Sequence, residues 1–548
     1  MSGPLEQILR ARGFNDKVLR EAFLAPSYEA LNHDPFLLPD MAKAVERLQK
    51  ARAASELVYI YGDYDIDGLT ATTLLLEAFA SFGIKREAFI PNRFKDGYGL
   101  SKAAIKQLAE RGAKLIVTVD CGSLSHAEIT LANELGMDVI VTDHHSVAET
   151  MPSAVATINP KRTDHKYPFI DLAGVGVAFK LVQAMQQKME GLAKGQEKWL
   201  LDLVALGTVC DVVQLIDENR ANVFWGLKVL AKTRRLGIKA LAQVVGLSMD
   251  RLTARSLGFV VGPHLNAAGR LETAELSLEL LTTEDPLRAV EIAYKLREMN
   301  MARRTEQDRI FKEALQQAET FADDPVLVLS GAGWSHGIIG IVAAKVLESL
   351  KKPTFVLEEM GDESKGSARS YGDFSAVEAI RFAEQWLTKG GGHKLAAGVT
   401  LKTEHIAHFR AAVNEFYKSQ KFTDQLRHLE PIADAILEDV SELDHELFAA
   451  LRQFEPFGHG NPEPVFHLSR GVVAKRQQLG KDGSHLKLEV HDARGNKWPM
   501  IGFGMATTYT HEVGEEIAAW FKLIENEWRG NVSLEGQLIK IASSPETE

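Results

Sequence analysis

The sequence predicts an α/β protein of several domains: a doubly wound parallel sheet, a long connecting helix, a second α/β domain and a C-terminal β-barrel. Three observations predict this arrangement. Short apolar runs alternate with helical segments in the first half of the chain, a long charged segment without glycine follows, and short alternating strands with glycine turns end the chain. Because single cores stop growing near ~250–300 residues, a chain of 548 residues must contain several domains.

The first sheet is predicted from three short apolar runs. Residues 57–61, 114–119 and 137–142 are the length of strands and have the apolar character of strands buried on both faces. Apolar residues recur at helical spacing over 69–82, and Gly83 stands where a helix commonly ends. Strands that alternate with helices form βαβ units, so a parallel sheet follows.

Changes in these patterns predict five units, in chain order an N-terminal helical segment (1–45), the domain of the first sheet (46–284), a connecting helix (285–322), the second α/β domain (323–428) and the barrel (429–548). The connecting helix would be ~50 Å long at ~1.5 Å per residue. It is polar on most faces, which is typical of a spacer between domains. Residues 429–438 are acidic and predict a linker before the barrel strands.

The composition is that of an ordinary globular protein, with 45% apolar and 25% charged residues. No run of ~18 uncharged apolar residues and no signal-peptide core is present, so we expect a cytoplasmic protein. The two cysteines, Cys121 and Cys210, are too few for a disulfide framework, and we expect buried thiols. The net charge of −11 argues mildly against nucleic acid, unless bound cations neutralise an acidic site.

Carboxylates and imidazoles follow the three predicted strands and one later apolar run: Asp63, Asp65, Asp67, Asp120, Asp143, His144, His145 and Asp211. The carboxyl ends of parallel strands gather at one edge of a sheet, so we expect these side chains in one crevice. One such group alone is often a turn or a helix cap. Acidic groups after three consecutive strands are better explained by a metal site.

The chemistry of this set favours divalent cations. Two carboxylates about 4 Å apart repel by ~4 kcal/mol even at an effective dielectric constant of about 20. Mixed carboxylate and imidazole ligands suit Mn²⁺, and Mg²⁺ can also use such carboxylates. Two ions ~3.5–4 Å apart can activate a water and stabilise the leaving oxygen of a phosphodiester. The crevice therefore predicts phosphoester hydrolysis without a covalent enzyme intermediate.

These motifs resemble those of the DHH phosphoesterase superfamily, whose eponymous motif is Asp143-His144-His145 in this chain. The resemblance implies two Mn²⁺ or Mg²⁺ ions held by Asp65, Asp67, Asp120, His144 and Asp211. Asp63 is a further candidate ligand, and His145 a further catalytic residue beside these ions. Many relatives carry histidine where this chain has Tyr61, which leaves the role of that position open.

The second α/β domain resembles the DHHA1 domain through its glycine-rich segment 390–398. Glycines let backbone amides approach a phosphate, although a simple glycine turn before a helix is the alternative. Segment 366–370 adds hydroxyls and a guanidinium, which can bind a phosphate in bidentate fashion.

Within the superfamily, four segments resemble the RecJ family: 92–99, 262–271, 335–343 and 454–466. This resemblance implies a C-terminal OB-fold and hydrolysis of single-stranded DNA from its 5′ end, in DNA repair and recombination. It also implies the phosphate-binding residues. Arg93, Ser367 and Arg369 would hold the terminal 5′ phosphate, Arg270 would hold a nearby backbone phosphate, and His393 would assist at the scissile phosphate. RecJ proteins usually carry arginine where this chain has His264.

The barrel is expected to bind the strand through basic and aromatic side chains, with candidates Lys475, Arg476, Lys481, Trp498, Phe503 and Trp528. These aromatic residues could equally be barrel core. Beyond single-stranded DNA, the resemblance implies single-strand-binding protein and a helicase as partners, and we expect a monomer without a membrane segment. Two alternatives stay open: a phosphodiesterase for short oligonucleotides or cyclic dinucleotides, and a non-catalytic DNA-binding scaffold.

Overall fold

The computed structural model describes residues 3–93, 97–420, 422, 429–528 and 530–543, with only the backbone of Trp528. The strands are β1 (Val58–Gly62), β2 (Arg86–Phe89), β3 (Leu115–Val119), β4 (Asp138–Thr142), β5 (Ala156–Ile158), β6 (Leu327–Ala332), β7 (Thr354–Met360), β8 (Glu363–Arg369), β9 (Lys389–Gly392), β10 (Ala396–Lys402), β11 (Ala435–Leu437), β12 (Phe466–Leu479), β13 (His485–His491), β14 (Lys497–Gly502), β15 (Glu516–Trp528) and β16 (Asn531–Ser543).

The helices are α1 (Pro4–Ala11), α2 (Lys17–Leu24), α3 (Tyr28–Leu31), α4 (Met41–Ala53), α5 (Ile66–Ser81), α6 (Lys102–Glu110), α7 (His126–Glu134), α8 (Gly174–Lys188), α9 (Leu201–Cys210), α10 (Asp217–Leu230), α11 (Leu236–Val245), α12 (Ala254–Ser256), α13 (Gly262–Leu271), α14 (Glu275–Thr282), α15 (Pro286–Thr320), α16 (Ile339–Leu350), α17 (Ala376–Phe382), α18 (Ile406–Ser419) and α19 (His445–Arg452). A π-helical turn, Leu257–Val261, joins α12 to α13.

The first sheet is fully parallel, with strand order β2-β1-β3-β4-β5. Successive residues of a strand point to opposite faces. Ile60 therefore joins the core beneath α5 and α8, while Tyr59 and Tyr61 join the core beneath α6 and α7. Helices cover both faces, so the predicted doubly wound sheet is confirmed. The three predicted strands form its centre.

Two helices adjoin predicted metal ligands: α5 begins directly after Asp65, and α9 ends directly before Asp211. Helix α5 begins at Ile66, ahead of the predicted Leu69, because the Asp65 carboxylate accepts a hydrogen bond from the amide of Gly68 at 3.1 Å and caps the helix. The apolar run before Asp211 forms α9, which is almost entirely buried. Asp211 stands directly at the C-terminal end of that helix.

The predicted connecting helix is confirmed as α15, a single helix of 35 residues. It is more than a spacer, because one face is buried along its length. Ile292 and Leu296 pack into the core of the first domain, whereas Ile310 and Ala314 pack against the second domain. Helix α15 therefore ties the two domains together through a continuous apolar stripe.

The second domain has a mixed sheet with strand order β6-β7-β8-β10-β9, covered by α16, α17 and α18. Its glycine-rich segment forms the β9–β10 hairpin, with Gly391 paired to Gly398. The segment thus forms an edge hairpin of the sheet and not a turn before a helix, while its contact with a phosphate stays a prediction. Glycines suit such an edge, since an added Cβ on Gly392 would lie 2.5 Å from Ala397 Cα.

The C-terminal strands close into a barrel, because β12 pairs with β13 on one side and with β15 on the other. The prediction of a β-barrel is confirmed. The prediction of a linker at 429–438 is wrong in part: β11 lies within it and pairs in parallel with β12. Its alternating apolar residues, Ala435 and Leu437, are buried in the barrel core, which local acidity concealed.

The N-terminal segment contacts two different cores. Ile8 and Leu9 of α1 pack into the barrel core, whereas Tyr28 of α3 packs into the core of the first domain. Arg220 of α10 links both regions, since its guanidinium donates to the carbonyls of Phe23 and Phe454. The N-terminal segment is therefore packed between the first domain and the barrel. Across the described residues, no helix has the length and apolarity needed to span a membrane.

Candidate metal centre and anion pocket

The structure brings the predicted metal ligands together at the carboxyl edge of the first sheet. Their ligand atoms form three overlapping groups, each within 4.8 Å: Asp63 with Asp65 and Asp120, Asp67 with His144 and Asp211, and Asp120 with His144 and His145. The loops after β1, β3 and β4 supply most of these side chains, and the end of α9 supplies Asp211. The sequence therefore identified the members of this cluster.

His144 lies at the centre of the cluster. Its Nε2 atom is 3.1 Å from Asp120 Oδ1, 3.5 Å from Asp211 Oδ2 and 3.7 Å from Asp67 Oδ2. Within the described part of the chain, four buried atoms of this cluster have no hydrogen-bond partner: Asp63 Oδ1, Asp120 Oδ1, His144 Nε2 and Asp211 Oδ2. Buried polar atoms without a partner are costly. Convergent lone pairs of this kind fit divalent cations.

Burial and mutual repulsion shift the titration of these groups. Burial, together with the charges of Asp67 and Asp65, raises the pKa of Asp211 to about 9. Burial and the charge of Asp65 raise the pKa of Asp67 to about 7. Burial lowers the pKa of His144 to about 3, so its imidazole is neutral and can offer a lone pair. A cation would relieve this repulsion, and the donor set of carboxylates and one imidazole fits Mn²⁺ or Mg²⁺.

Asp143 orients this cluster. Its two carboxylate oxygens accept hydrogen bonds from the backbone amides of Ser123, His144 and His145. Oδ1 also lies 2.9 Å from Nδ1 of His145. Burial would raise the pKa of Asp143, but the hydrogen bond and charge of His145 and the amide hydrogen bonds lower it well below its usual range. Asp143 thus holds the following two histidines in place.

The amino end of α8 holds Asp67 from the other side. The amides of Gly174 and Val175 donate to the two carboxylate oxygens of Asp67, at 2.5 and 2.9 Å. A Cβ on Gly174 would lie 2.7 Å from Cβ of Asp120, so only glycine allows the helix to come this close. The positive end of the helix dipole also favours the carboxylate. Sequence reasoning missed this contact, although the Gly-Val-Gly start of α8 was visible.

Tyr61 supports the rim of the site from within the core. Its ring stacks on Phe89, and its hydroxyl donates to the carbonyl of Gly99 at 3.1 Å. Next to that carbonyl, the hydroxyl of Tyr98 donates to the carbonyl of Asp120 at 3.2 Å and lies 3.0 Å from Nδ1 of His145. Tyr61 therefore stabilises the loop that brings Tyr98 to His145. The sequence had left the role of Tyr61 open.

Beside the carboxylates, the predicted phosphate-binding residues form a second, positively charged cluster, which we call the anion pocket: Arg93, Arg270, Ser367 and Arg369. The guanidinium of Arg93 lies 5.1 Å from the ring centre of Tyr64. Arg369 donates to Ser367 Oγ at 3.1 Å, and Arg270 donates to the carbonyl of Gly337 at 3.0 Å. In the described residues, no carboxylate forms an ion pair with any of these arginines.

The arginines of the anion pocket repel one another. Burial and the charges of Arg93, Arg303 and Arg369 lower the pKa of Arg270 to about 10, against the attraction of Asp65. Gly340, in the first turn of α16, packs against Ser367 and Arg369, with an added Cβ 3.0 and 3.2 Å from their side chains. A helix amino end and unpaired guanidiniums form a site for an anion.

Some predicted site residues lie apart from these clusters. His393 is exposed in the turn of the β9–β10 hairpin and belongs to none of the candidate metal groups of the described residues. Its catalytic role stays a prediction. In the segment 92–99, residues 94–96 lie outside the described part of the chain.

The barrel candidates divide between core and surface. Trp498 is buried in the barrel core, which favours the core alternative for that residue. Phe503 is exposed, and Lys475 pairs with Glu489 at 3.2 Å. Arg476 donates to barrel-loop carbonyls at 3.4 Å, and Lys481 is exposed. The side chain of Trp528 lies outside the described residues.

The chain is similar to protein families and solved structures over most of its length. Three family models match the chain: the DHH family, N-terminal domain, over residues 57–208, the DHHA1 domain over 323–419 and the RecJ OB domain over 434–540. The crystal structure of RecJ in complex with Mn²⁺ from Thermus thermophilus superposes with a TM-score of 0.85 at 31% identity, covering 100% of this chain and 76% of that chain. The Mg²⁺ complex of the same protein has a TM-score of 0.79 at 30% identity, with 100% and 75% covered.

Curated relatives are similar over most of the chain. The single-stranded-DNA-specific exonuclease RecJ of Dickeya dadantii is 36% identical over 532 residues, with 91% of this chain and 90% of that protein covered. The protein of the same name from Bacillus subtilis is 34% identical over 526 residues, and the match covers 95% of this chain but only 65% of that protein. The three domain matches and this identity lead to one conclusion: the chain belongs to the RecJ family.

Proposed function

We propose that this protein is a metal-dependent exonuclease that removes nucleotides from the 5′ end of single-stranded DNA. One observation carries the proposal: the buried carboxylate cluster and the anion pocket are neighbours. Arg93 contacts the ring of Tyr64, which stands between Asp63 and Asp65 in the chain. The charge of Asp65 also acts on Arg270. A centre suited to a scissile phosphate thus lies beside a pocket suited to a terminal phosphate.

The anion pocket explains the proposed polarity. A terminal phosphate carries about −1.5 to −2 charges near neutral pH, whereas an internal linkage carries a single charge. Arg93 and Arg369, with the hydroxyl of Ser367, would therefore hold the strand end more strongly than its interior. Arg270 would bind the adjoining backbone phosphate. A terminal phosphate fixed beside the carboxylates would place the first linkage at the metal centre.

The chain's own residues prepare the site for hydrolysis. Bound by Asp63, Asp65, Asp67, Asp120, His144 and Asp211, two Mn²⁺ or Mg²⁺ ions would activate the attacking water and neutralise the leaving oxygen. Asp143 and Tyr98 fix the ring of His145 beside Asp120, and the amides of Gly174 and Val175 fix Asp67. His393 is retained as a candidate contact to the scissile phosphate, since its exposed imidazole is accessible.

Digestion of end-labelled DNA tests the proposal. We expect 5′-labelled single strands to release label as mononucleotide with Mn²⁺ or Mg²⁺, and blunt duplex DNA to resist. A chelator should abolish the reaction, and the variant Asp211→Asn serves as the control for contaminating nuclease. Preferential release from the 3′ end, or activity that persists in the chelator, would refute the proposal.

The two alternatives are less favoured. A phosphodiesterase for dinucleotides does not need the barrel, which here contacts both the N-terminal segment and the first domain. A non-catalytic scaffold does not need convergent ligands, whereas here all six candidate ligands belong to groups that could hold a metal ion. Turnover of a long 5′-phosphorylated strand, compared with that of a dinucleotide, distinguishes exonuclease from phosphodiesterase.

Several further expectations belong to this proposal. We propose a cytoplasmic monomer in DNA repair and recombination, with single-strand-binding protein and a helicase as partners. The exposed Phe503 and Lys481 remain candidates for strand contacts on the barrel. Sedimentation of the purified chain with and without single-strand-binding protein would test the oligomeric state and that partnership together.

A further inference from the structure

A large cavity lies between the first domain and the barrel. Its volume is about 960 Å³. Cys210 and Val212, the neighbours of Asp211, line one side, and Phe466 and Lys522 of the barrel line another. The cavity therefore adjoins the metal centre. Four arginines also line it, among them Arg270 of the anion pocket and Arg303 of helix α15.

Arg303 is held rigidly by a chain of hydrogen bonds. Its Nε donates to Asn300 Oδ1 at 3.1 Å, and its Nη1 donates to Gln307 Oε1 at 2.9 Å. Asn300 Nδ2 lies 3.2 Å from Nε2 of His264. Nδ1 of His264 lies 2.7 Å from the carbonyl of Val260. A neutral imidazole protonated on Nδ1 satisfies every member of this chain.

These hydrogen bonds hold the guanidinium of Arg303 in place but do not neutralise its positive charge. Both acceptors are neutral amide oxygens, and no carboxylate forms an ion pair with Arg303 within the described residues. The charge of Asp308 acts on Arg303, but Asp308 itself pairs with Lys345 at 3.0 Å. Only 8% of Arg303 is exposed. A guanidinium so buried is costly unless an anion enters the space beside it.

We propose that Arg303 binds an internal backbone phosphate of the single strand, beyond the terminal and scissile phosphates. This inference rests on the proposed function. With the 5′ end in the anion pocket and the first linkage at the carboxylates, the strand would continue through the adjoining cavity past Arg303. Two of the five guanidinium donors are occupied by amides, which leaves a face of the planar fork for phosphate oxygens. Arg303 would then hold the undigested strand in place between cleavage steps.

A series of oligonucleotides, each with one uncharged backbone linkage, tests this assignment. Single methylphosphonates are placed at successive positions of a 5′-phosphorylated oligonucleotide, beyond the first linkage, and kcat/KM is measured for each. We expect the wild-type enzyme to lose about 10-fold at one internal position, the typical effect of one charge-assisted hydrogen bond. Arg303→Gln should lose about as much on unmodified DNA and show no further loss at that position.

Two further variants make the test decisive. Gln307→Glu keeps the shape of the side chain and its acceptor oxygen but adds a carboxylate that would neutralise Arg303. This variant should therefore show no additional loss of kcat/KM when the sensitive internal linkage is made neutral. Arg304→Gln is the matched control, because Arg304 is the next residue of α15 and is exposed. We expect it to keep the wild-type profile. Melting temperatures with Mn²⁺ confirm folding, and Gln307→Glu decides the question if Arg303→Gln does not fold.

The assignment would be overturned if Arg303→Gln or Gln307→Glu kept the wild-type dependence of kcat/KM on the methylphosphonate position. It would also be overturned if no internal methylphosphonate lowered the kcat/KM of the wild-type enzyme. Failure of the proposed function has a different result. In that case, wild-type enzyme would not digest the unmodified strand from its 5′ end at all.

Discussion

The metal centre and the anion pocket are neighbouring clusters of opposite charge, the first largely buried and the second half-buried. The carboxylates converge without enough hydrogen-bond donors, and their pKa values rise because of burial and repulsion. The arginines converge without carboxylates, and the pKa of Arg270 falls for the corresponding reasons. Although the clusters are neighbours, Arg270, Arg369 and Arg303 form no ion pairs with the acidic ligands in the described part of the structure.

The metal centre and the anion pocket remain distinct because different kinds of partner hold their side chains. Backbone amides and glycines hold the carboxylates: Asp143 by three amides, and Asp67 by the amino end of α8. Neutral partners hold the arginines, such as the carbonyl of Gly337 and the hydroxyl of Ser367. Neither cluster therefore neutralises the other, and each keeps unpaired groups for a ligand. The acidic cluster should respond to cations, and the basic cluster to phosphates.

The largest effect is expected from Asp120→Asn, which removes a central ligand. Asparagine tolerates the left-handed backbone of this residue, whose φ is 61°. We expect activity to fall by more than about 100-fold, since even outer contacts of metal ligands cost about 10–100-fold. Without metal, the melting temperature should rise, because one of several repelling carboxylates is gone.

Calorimetric titration and thermal melting, each with and without Mn²⁺, measure these effects. The variant should lose most of the stabilisation by Mn²⁺ and keep that by thymidine 5′-monophosphate. A lower melting temperature without metal, together with unchanged stabilisation by Mn²⁺, would contradict the role of Asp120.

A smaller effect is expected from Asp143→Asn, which changes an orienting residue. The amide keeps one acceptor oxygen but cannot accept all the hydrogen bonds of Asp143. We expect kcat to fall about 10–100-fold, with Mn²⁺ still stabilising the fold. Steady-state kinetics at saturating Mn²⁺ test this. If stabilisation by Mn²⁺ disappears entirely, Asp143 acts as a ligand and the assignment is incorrect.

Arg369→Lys tests the opposite cluster. Lysine keeps the charge but loses the planar fork, so kcat/KM on 5′-phosphorylated strands should fall about 10-fold. Strands with a 5′-hydroxyl should be much less affected, because they lack the dianion that this residue would bind. Paired assays of the two substrates measure the ratio. An equal loss on both would indicate a structural role, and Mn²⁺ binding serves as the control.

The smallest effect is expected from Tyr61→Phe. The variant removes the hydrogen bond to Gly99 but keeps the stacking on Phe89. The free energy of unfolding should fall by about 1 kcal/mol, and activity should remain within about 3-fold, because Tyr61 only supports the Tyr98 loop. Denaturant unfolding without metal measures the first value. Loss of Mn²⁺ binding in this variant would show that Tyr61 belongs to the metal centre.

The sequence predicted the parallel sheet and the metal cluster because both follow from local pattern. Each strand is an uninterrupted apolar run, and each group of ligands follows such a run directly. The topology of parallel sheets then brings the groups to one edge. The arginines of the anion pocket could be named only through family resemblance, since a single arginine has no periodicity that separates a phosphate site from a surface ion pair.

Other contacts could not be predicted, because they join residues far apart in the chain. Gly174 and Asp67 are 107 residues apart, and nothing near either residue indicates that they meet. The same holds for α1 in the barrel core and for β11, whose acidic surroundings suggested a linker. Trp498 was equally consistent with core and surface until closure of the barrel buried it.

The sequence by itself predicted the central strands of the first sheet and the group of candidate metal ligands, since periodicity and residue chemistry are local properties. Tertiary structure alone decided which charges remain unpaired. Whether Arg270 pairs with a carboxylate or with the carbonyl of Gly337, 67 residues further along the chain, depends on how α13 packs against the segment before α16. The charge available for a ligand is therefore a consequence of long-range packing.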